Sequence, residues 1–170
     1  MKGYIHVYTG DGKGKTTAAL GIALRAICAG KKVFFGQFVK GNSYSESHAK
    51  KVLPSLEITN YGREVFIRNQ ATEEEIRLAN EGLQQCEKVL KQGDYDVVIL
   101  DELNIALYYR LFPITKVLEI LKNKAEHVEV IITGRKAPQK LIDAADLVTE
   151  MKEIKHYYQQ GVVARLGIDK

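Results

Sequence analysis

The run Thr9-Gly10-Asp11-Gly12-Lys13-Gly14-Lys15-Thr16-Thr17 follows a short apolar strand and opens onto helix-forming sequence. Strand, glycine-rich loop and helix in that order make a phosphate-binding loop. Gly14-Lys15-Thr16 supplies the second half of the pattern G-x-x-x-x-G-K-[ST], while Thr9 stands where its first glycine belongs. A polyphosphate must shed much of its water to bind. Backbone N–H groups in a tight loop replace that water, and Gly10, Gly12 and Gly14 permit the close approach. A helix starting near Thr16 adds about half a unit of positive charge at its N-terminus. Lys15 adds a full charge, and the Thr16 hydroxyl suits a Mg²⁺ ion that keeps several waters. All nine residues of the run are candidates for binding a nucleoside triphosphate. Lys13 either touches phosphate or is solvated.

At 170 residues, the chain is expected to fold as a single domain over 1–170 with one substantial core. A formal charge of +4 is too mild to argue for nucleic acid, though it suits anionic ligands. Cys28 and Cys86 fall in separate helical patterns and offer neither metal spacing nor a disulfide framework. A strand beginning near Tyr4 argues against a signal peptide, and no apolar run approaches a membrane span. The expectation is a cytoplasmic protein with no membrane or nucleic-acid partner.

Strands and helices alternate. Strands are expected at Tyr4–Tyr8, Val33–Val39, Leu56–Tyr61, Val97–Leu100, Val128–Ile132 and Leu147–Met151. Helices are expected at Thr16–Ala29, Ser47–Leu53, after the capping box Thr72-Glu73-Glu74-Glu75, after Pro113, and at Pro138–Ala145. Ile76, Ala79, Leu83, Cys86 and Leu90 recur at three and four residues and predict one buried stripe. Alternation of this kind predicts an α/β fold: a mostly parallel sheet with helices on both faces and ligands at the C-terminal strand ends.

Further candidates fall at those strand ends. Asp101 and Glu102 follow Val97-Val98-Ile99-Leu100, so Asp101 is expected at a strand tip facing the metal on Thr16. Glu102 binds the metal directly or through water, serves as a base, or caps the following helix; which acid is the principal ligand is open. Arg135, after Thr133-Gly134, can reach phosphate in a bidentate way or is a solvated arginine in a turn. Gln37 and Lys40 follow the second strand and can line the same crevice, and Arg25 lies two turns into the first helix. His6 reads as structural, His156 as a ligand contact or ordinary packing, and Tyr108 and Tyr109 as core or dimer contacts. No Ser/His/Asp or Cys/His arrangement suggests a protein nucleophile.

Together these segments resemble the phosphate-loop corrinoid adenosyltransferases, which transfer adenosyl from ATP to cobalt in cobalamin biosynthesis. The resemblance runs through Thr9 to Ala19, Gly30-Lys31-Lys32-Val33, Gln37-Phe38-Val39-Lys40-Gly41 and Val98 to Leu103. It continues through Val130 to Arg135, Ala145 to Met151, and a tail with Lys155-His156, Gly161-Val162 and Gly167-Ile168-Asp169. It implies a RecA-like P-loop fold, usually a homodimer, using ATP with Mg²⁺ or Mn²⁺. The substrate is a reduced cobalamin or cobinamide-type corrinoid, supplied with electrons by a reductase. Cobalt in the one-plus state attacks the ribose 5′-carbon and triphosphate leaves. Lys15, Glu102 and Arg135 then become the candidate catalytic residues. Thr9 to Thr17 with Arg25 would hold ATP, Thr16 with Asp101 and Glu102 would hold the metal, and Gln37, Lys40, Tyr61 and Phe66 would meet the corrinoid.

Two departures stand out. Longer members carry an N-terminal extension over the site, whereas this chain opens on the first strand, so a lid is expected from elsewhere or the pocket is more open. Longer members also carry a Phe-x-Trp element that eases cobalt reduction; this chain has no Trp, and Phe66, then Tyr61, are the nearest substitutes. The residues alone also leave open a RecA-like ATPase or phosphotransferase using Glu102 as base, and a regulatory module that binds nucleotide without turnover.

Overall fold

A computed structural model describes residues 2–39, 45–63, 67 and 70–169. Six strands, β1 (Ile5–Thr9), β2 (Val33–Phe38), β3 (Leu56–Tyr61), β4 (Val97–Asp101), β5 (Glu129–Thr133) and β6 (Leu147–Glu150), form one sheet ordered β3-β2-β4-β5-β1-β6. Every pairing in it is parallel. The expected α/β architecture is therefore present.

All residues of β2 and β4 are buried, as sequence without polar alternation requires in a sheet covered on both faces. Alternate residues feed two cores. Phe35, Val97, Ile99 and Ile131 meet Ala19, Ala23 and Ala26 of α1 (Lys15–Cys28), whose small side chains let the helix lie close to the strands. Phe34, Val98, Leu100, Val130 and Ile132 face the larger core shared with α2 (Glu73–Gln92), α3 (Leu103–Tyr108), α4 (Ile114–Lys122) and α5 (Gln139–Ala144). The expected helix at Ser47–Leu53 is a 3₁₀ helix, Ser45–Lys51. Among the described residues no helix is long and apolar enough to cross a membrane.

Helix α2 begins with the expected capping box: the Thr72 hydroxyl accepts from the Glu75 N–H, and the Glu75 carboxylate accepts from the Thr72 N–H at 2.7 Å. Its buried stripe is Ala79, Gly82, Leu83, Cys86 and Leu90. Ile76 does not belong to it and is 39% exposed. The first helical turn is solvated, and cover by the sheet begins at Ala79. Gly82 marks the closest approach, because a Cβ there would lie 2.3 Å from Cγ of Tyr61, the root of the ring. Gly82→Ala is expected to destabilise the fold by about 1–3 kcal/mol despite its better helix propensity. The midpoint of urea unfolding measures it; an unchanged midpoint would refute the packing argument.

His6 is structural, its Nε2 2.6 Å from Oε1 of Glu129. Tyr109 packs against the larger core and donates to Ile67 O at 3.2 Å, whereas Tyr108 is exposed. Both cysteines are free thiols, Cys28 exposed and Cys86 buried.

Candidate active site

The strand order sets the C-terminal ends of β4, β5 and β1 side by side. In register, Tyr8 lies beside Thr133, Leu100 beside Ile132, and Gln37 beside Asp101. The phosphate loop leaves β1 at this edge. Gly10 takes a left-handed φ of 93°, and a Cβ there would sit 2.5 Å from the Met151 carbonyl oxygen. The Gly12 N–H donates to that same oxygen at 2.7 Å. The loop is thus pressed against the end of β6, and glycine is required by sterics. Lys15 is buried and folds back over the loop, donating to Gly10 O at 2.8 Å and Gly12 O at 2.6 Å. Thr9, where the loop pattern has glycine, stays in β1, and its hydroxyl accepts from the Ala137 N–H at 3.3 Å.

Beneath the loop lies a closed polar knot. Asp101 is the last residue of β4 rather than the first beyond it, and it is fully buried. Its Oδ1 accepts from the hydroxyls of Thr16 at 2.8 Å and Thr133 at 2.6 Å, and its Oδ2 accepts from Nε2 of Gln37 at 2.9 Å. A buried carboxylate needs such donors. Thr133 also accepts from the Glu102 N–H at 3.0 Å through its hydroxyl oxygen. Glu102 itself holds φ 57°, a left-handed conformation that is uncommon away from glycine. Asn104, buried on α3, donates to Gly134 O at 2.9 Å and joins the ends of β4 and β5. Neighbouring contacts hold the Glu102 backbone in place and bring its side chain to the cavity.

Above the knot opens a cavity of about 590 Å³. One wall is the loop from Gly12 to Thr17 with Glu102 and Arg135; the other is the chain from His156 to Asp169. None of residues 152–169 is buried. That tail is tied to the loop where the Lys13 ammonium donates to Ile168 O at 2.9 Å and to the Asp169 carboxylate. Asp169 also accepts from the Tyr157 hydroxyl, from the Arg165 N–H at 3.0 Å and from Arg165 Nε at 3.1 Å. Lys13 foremost, then Tyr157, hold the Asp169 carboxyl well below the usual carboxylate range. Burial opposes the Lys13 charge, yet its bonds to Asp169 and Tyr157 prevail and keep its ammonium above the usual range.

Of the expected site residues, Gly12, Lys13, Gly14, Lys15, Thr16, Thr17, Glu102 and Arg135 line this cavity. Thr9, Gly10 and Asp11 build the loop behind it. Lys13 lines the cavity, and its partly exposed ammonium is ion-paired to the tail. Gln37 is wholly buried in the Asp101 knot and serves that acid rather than a cavity wall. Tyr61 is buried against Phe38 and Gly82, because its ring fills the space between β3 and α2. Arg25 is exposed near the end of α1. It acts on Tyr8, whose hydroxyl pKa is raised by burial and then Glu129, with Arg25 opposing. Lys40 and Phe66 lie outside the described residues. Sequence reading did not assign roles to Thr133, Asn104, Tyr157, Arg165 or Asp169. Thr133 and Asp169 stood inside quoted motifs, but hydroxyl and carboxylate partners so distant in sequence leave no local spacing to find.

Residues 1–169 match the family model described as ATP:corrinoid adenosyltransferase BtuR/CobO/CobP. The chain is 36% identical to the corrinoid adenosyltransferase of Escherichia coli K12, over 99% of this chain and 86% of that protein. It is equally similar, with the same coverage, to the corrinoid adenosyltransferase CobA of Salmonella typhimurium. In fold, it aligns with the crystal structure of the flagellar accessory protein FlaH from Methanocaldococcus jannaschii. That alignment has a TM-score of 0.61, covers 88% of this chain and 71% of that one, and has 14% identity.

Proposed function

The chain belongs to the ATP:corrinoid adenosyltransferase family BtuR/CobO/CobP, and we propose in detail how its residues carry out that reaction. The enzyme moves the 5′-deoxyadenosyl group of ATP to the cobalt of a reduced corrinoid. The cobalt(I) electron pair forms the Co–C bond, the bond between C5′ and its oxygen breaks, and that pair leaves on triphosphate. Reduced cobalt is itself the nucleophile, so the protein's work is alignment and charge stabilisation. The observation that carries this assignment of roles is Lys15 folded over a phosphate loop whose Thr16 is bonded to buried Asp101.

Lys15 and the loop N–H groups stabilise charge growing on the triphosphate, and Arg135 adds a cation from the end of β5 on the same wall. Asp101, fully enclosed by its donors, orients the Thr16 hydroxyl, while Glu102 reaches the cavity itself. Glu102 is therefore the acid that meets a metal, with Asp101 behind it. The wall residues Lys13, Lys15 and Arg135 are matched by Glu46, Glu102 and Asp169, so a triphosphate needs further positive charge. Among the described residues no cluster of three or more His, Cys, Asp or Glu could hold a metal ion by itself. A hard divalent ion such as Mg²⁺ or Mn²⁺ instead fits Thr16, Glu102, phosphate oxygens and water. When bound, it supplies charge that stabilises the leaving triphosphate.

The same reading takes residues 1–170 as one domain and the location as cytoplasmic. It includes an electron-donating reductase as partner and a homodimer; Leu147 and Val148, exposed on the edge strand β6, support a protein contact there. The test is anaerobic incubation with ATP, Mg²⁺ and chemically reduced cob(I)alamin, followed by the corrin spectrum and phosphate analysis. Adenosylcobalamin with intact triphosphate is expected. ADP and phosphate without a light-sensitive cobalt–carbon product would instead indicate an ATPase or phosphotransferase.

A further inference from the structure

We propose that Asp169 is a positioning residue that fastens the C-terminal tail to the phosphate loop through Lys13 and so builds the outer wall of the ATP cavity. The tail has little else to hold it. None of residues 152–169 is buried, and Ile154, Tyr158, Val163 and Leu166 are exposed. Apolar burial therefore does not fix its path, and polar ties must.

Those ties converge on one carboxylate. Asp169 accepts from Tyr157 at the start of the wall, from Arg165 twice in its middle, and from Lys13 in the loop. The Arg165 guanidinium also lies 4.8 Å from the centre of the Tyr157 ring, closing the tail on itself. An isolated exposed ion pair contributes little, because two long side chains must be ordered for a screened attraction. This one differs in two ways. The Asp169 side chain is only 11% exposed, and its geometry is set by several donors at once. Ordering cost is shared among bonds that exist together.

The consequence reaches the reaction through Lys13. Its ammonium, held by Asp169 and Ile168 O, is fixed at the cavity mouth rather than left to sample solvent. Tyr157 and Ile168 are set along the same wall, so the cavity has its shape only while the tie holds. The inference rests on the adenosyltransferase reading for its kinetic arm alone; its structural arm needs no turnover.

The experiment compares Asp169→Asn, Asp169→Glu, Lys13→Met and the double variant Asp169→Asn/Lys13→Met with the unaltered protein. Asn keeps the shape and, with its oxygen in place of Oδ2, the two bonds from Arg165, but its NH2 then faces Lys13 and the Tyr157 hydroxyl, so the charge and the acceptor for Lys13 are lost. Amide exchange of residues 157–169 is expected to quicken by about tenfold in each of Asp169→Asn and Lys13→Met, with the sheet unchanged. The double variant is expected to match the singles, as residues acting as a pair do. Asp169→Glu should recover most of the protection. In turnover, Asp169→Asn should raise KM for ATP several-fold with kcat less affected, and Asp169→Glu should reverse that rise. Tail exchange unchanged in Asp169→Asn overturns the proposal. So does a lower KM for ATP, which would mean that Asp169 only repels triphosphate. Failure of the unaltered protein to make adenosylcobalamin would reject the functional reading while leaving the exchange result to judge the tie.

Discussion

Lys15→Ala is expected to lower the rate of adenosyl transfer by at least about 10³-fold, measured with chemically reduced corrinoid and saturating ATP. The reason lies in where charge moves. Triphosphate gains negative charge as the bond to C5′ breaks, and a preorganised donor there acts more strongly in the transition state than in the ground state. Lys15 is buried and already held by Gly10 O and Gly12 O, so little reorganisation is needed to present its ammonium. Lys15→Arg should not restore the rate, since a bulkier planar guanidinium does not fit a point-charge site inside a tight loop. Stability should fall only modestly, by about 1–2 kcal/mol, because two carbonyls that lose their donor can find water at the open loop. Full turnover in Lys15→Ala would remove the loop from the reaction.

The second large effect is on the fold itself. Asp101→Ala is expected to destabilise the protein by about 3–5 kcal/mol, because it strands the buried donors of Thr133 and Gln37 together with the part-buried hydroxyl of Thr16. Asp101→Asn separates charge from bonding. Both threonine hydroxyls can still donate to the Asn oxygen. The Gln37 amide can turn over, presenting Oε1, which is buried without a partner among the described residues, to the new Asn N–H. Asp101→Asn should therefore cost only about 1 kcal/mol, yet transfer should drop steeply because the charge that orients Thr16 is gone. Urea midpoints beside single-turnover rates give both numbers. An Ala variant as stable as the unaltered protein would mean the knot contributes nothing to the fold.

Much of this molecule is written in short stretches of sequence. The glycine-lysine-threonine run, the capping box at Thr72 and the apolar block Val97 to Leu100 each depend on neighbours a few residues away, and each formed as expected. Errors arose where local pattern met tertiary cover. Ile76 fits the helical period of α2 but projects beyond the part of the helix that the sheet covers. Gln37 and Tyr61 sit at strand ends where ligands gather, yet β4 and α2 claim their side chains first. Glu102 could be named from the strand-then-acid pattern, but its left-handed backbone follows from contacts with β5.

By itself, the sequence determined the alternating strands and helices, the phosphate loop and the family. Periodicity, glycine placement and helix capping are local physics, and the family model matches residues 1–169. Only the tertiary structure decided which acid lies beneath the loop and which faces the cavity. Strand order and register bring Gln37, Asp101 and Thr133 together. The same holds for Lys13, whose partner Asp169 is 156 positions away. A charge's nearest counter-charge depends on the path of the folded chain, and no spacing along the sequence encodes it.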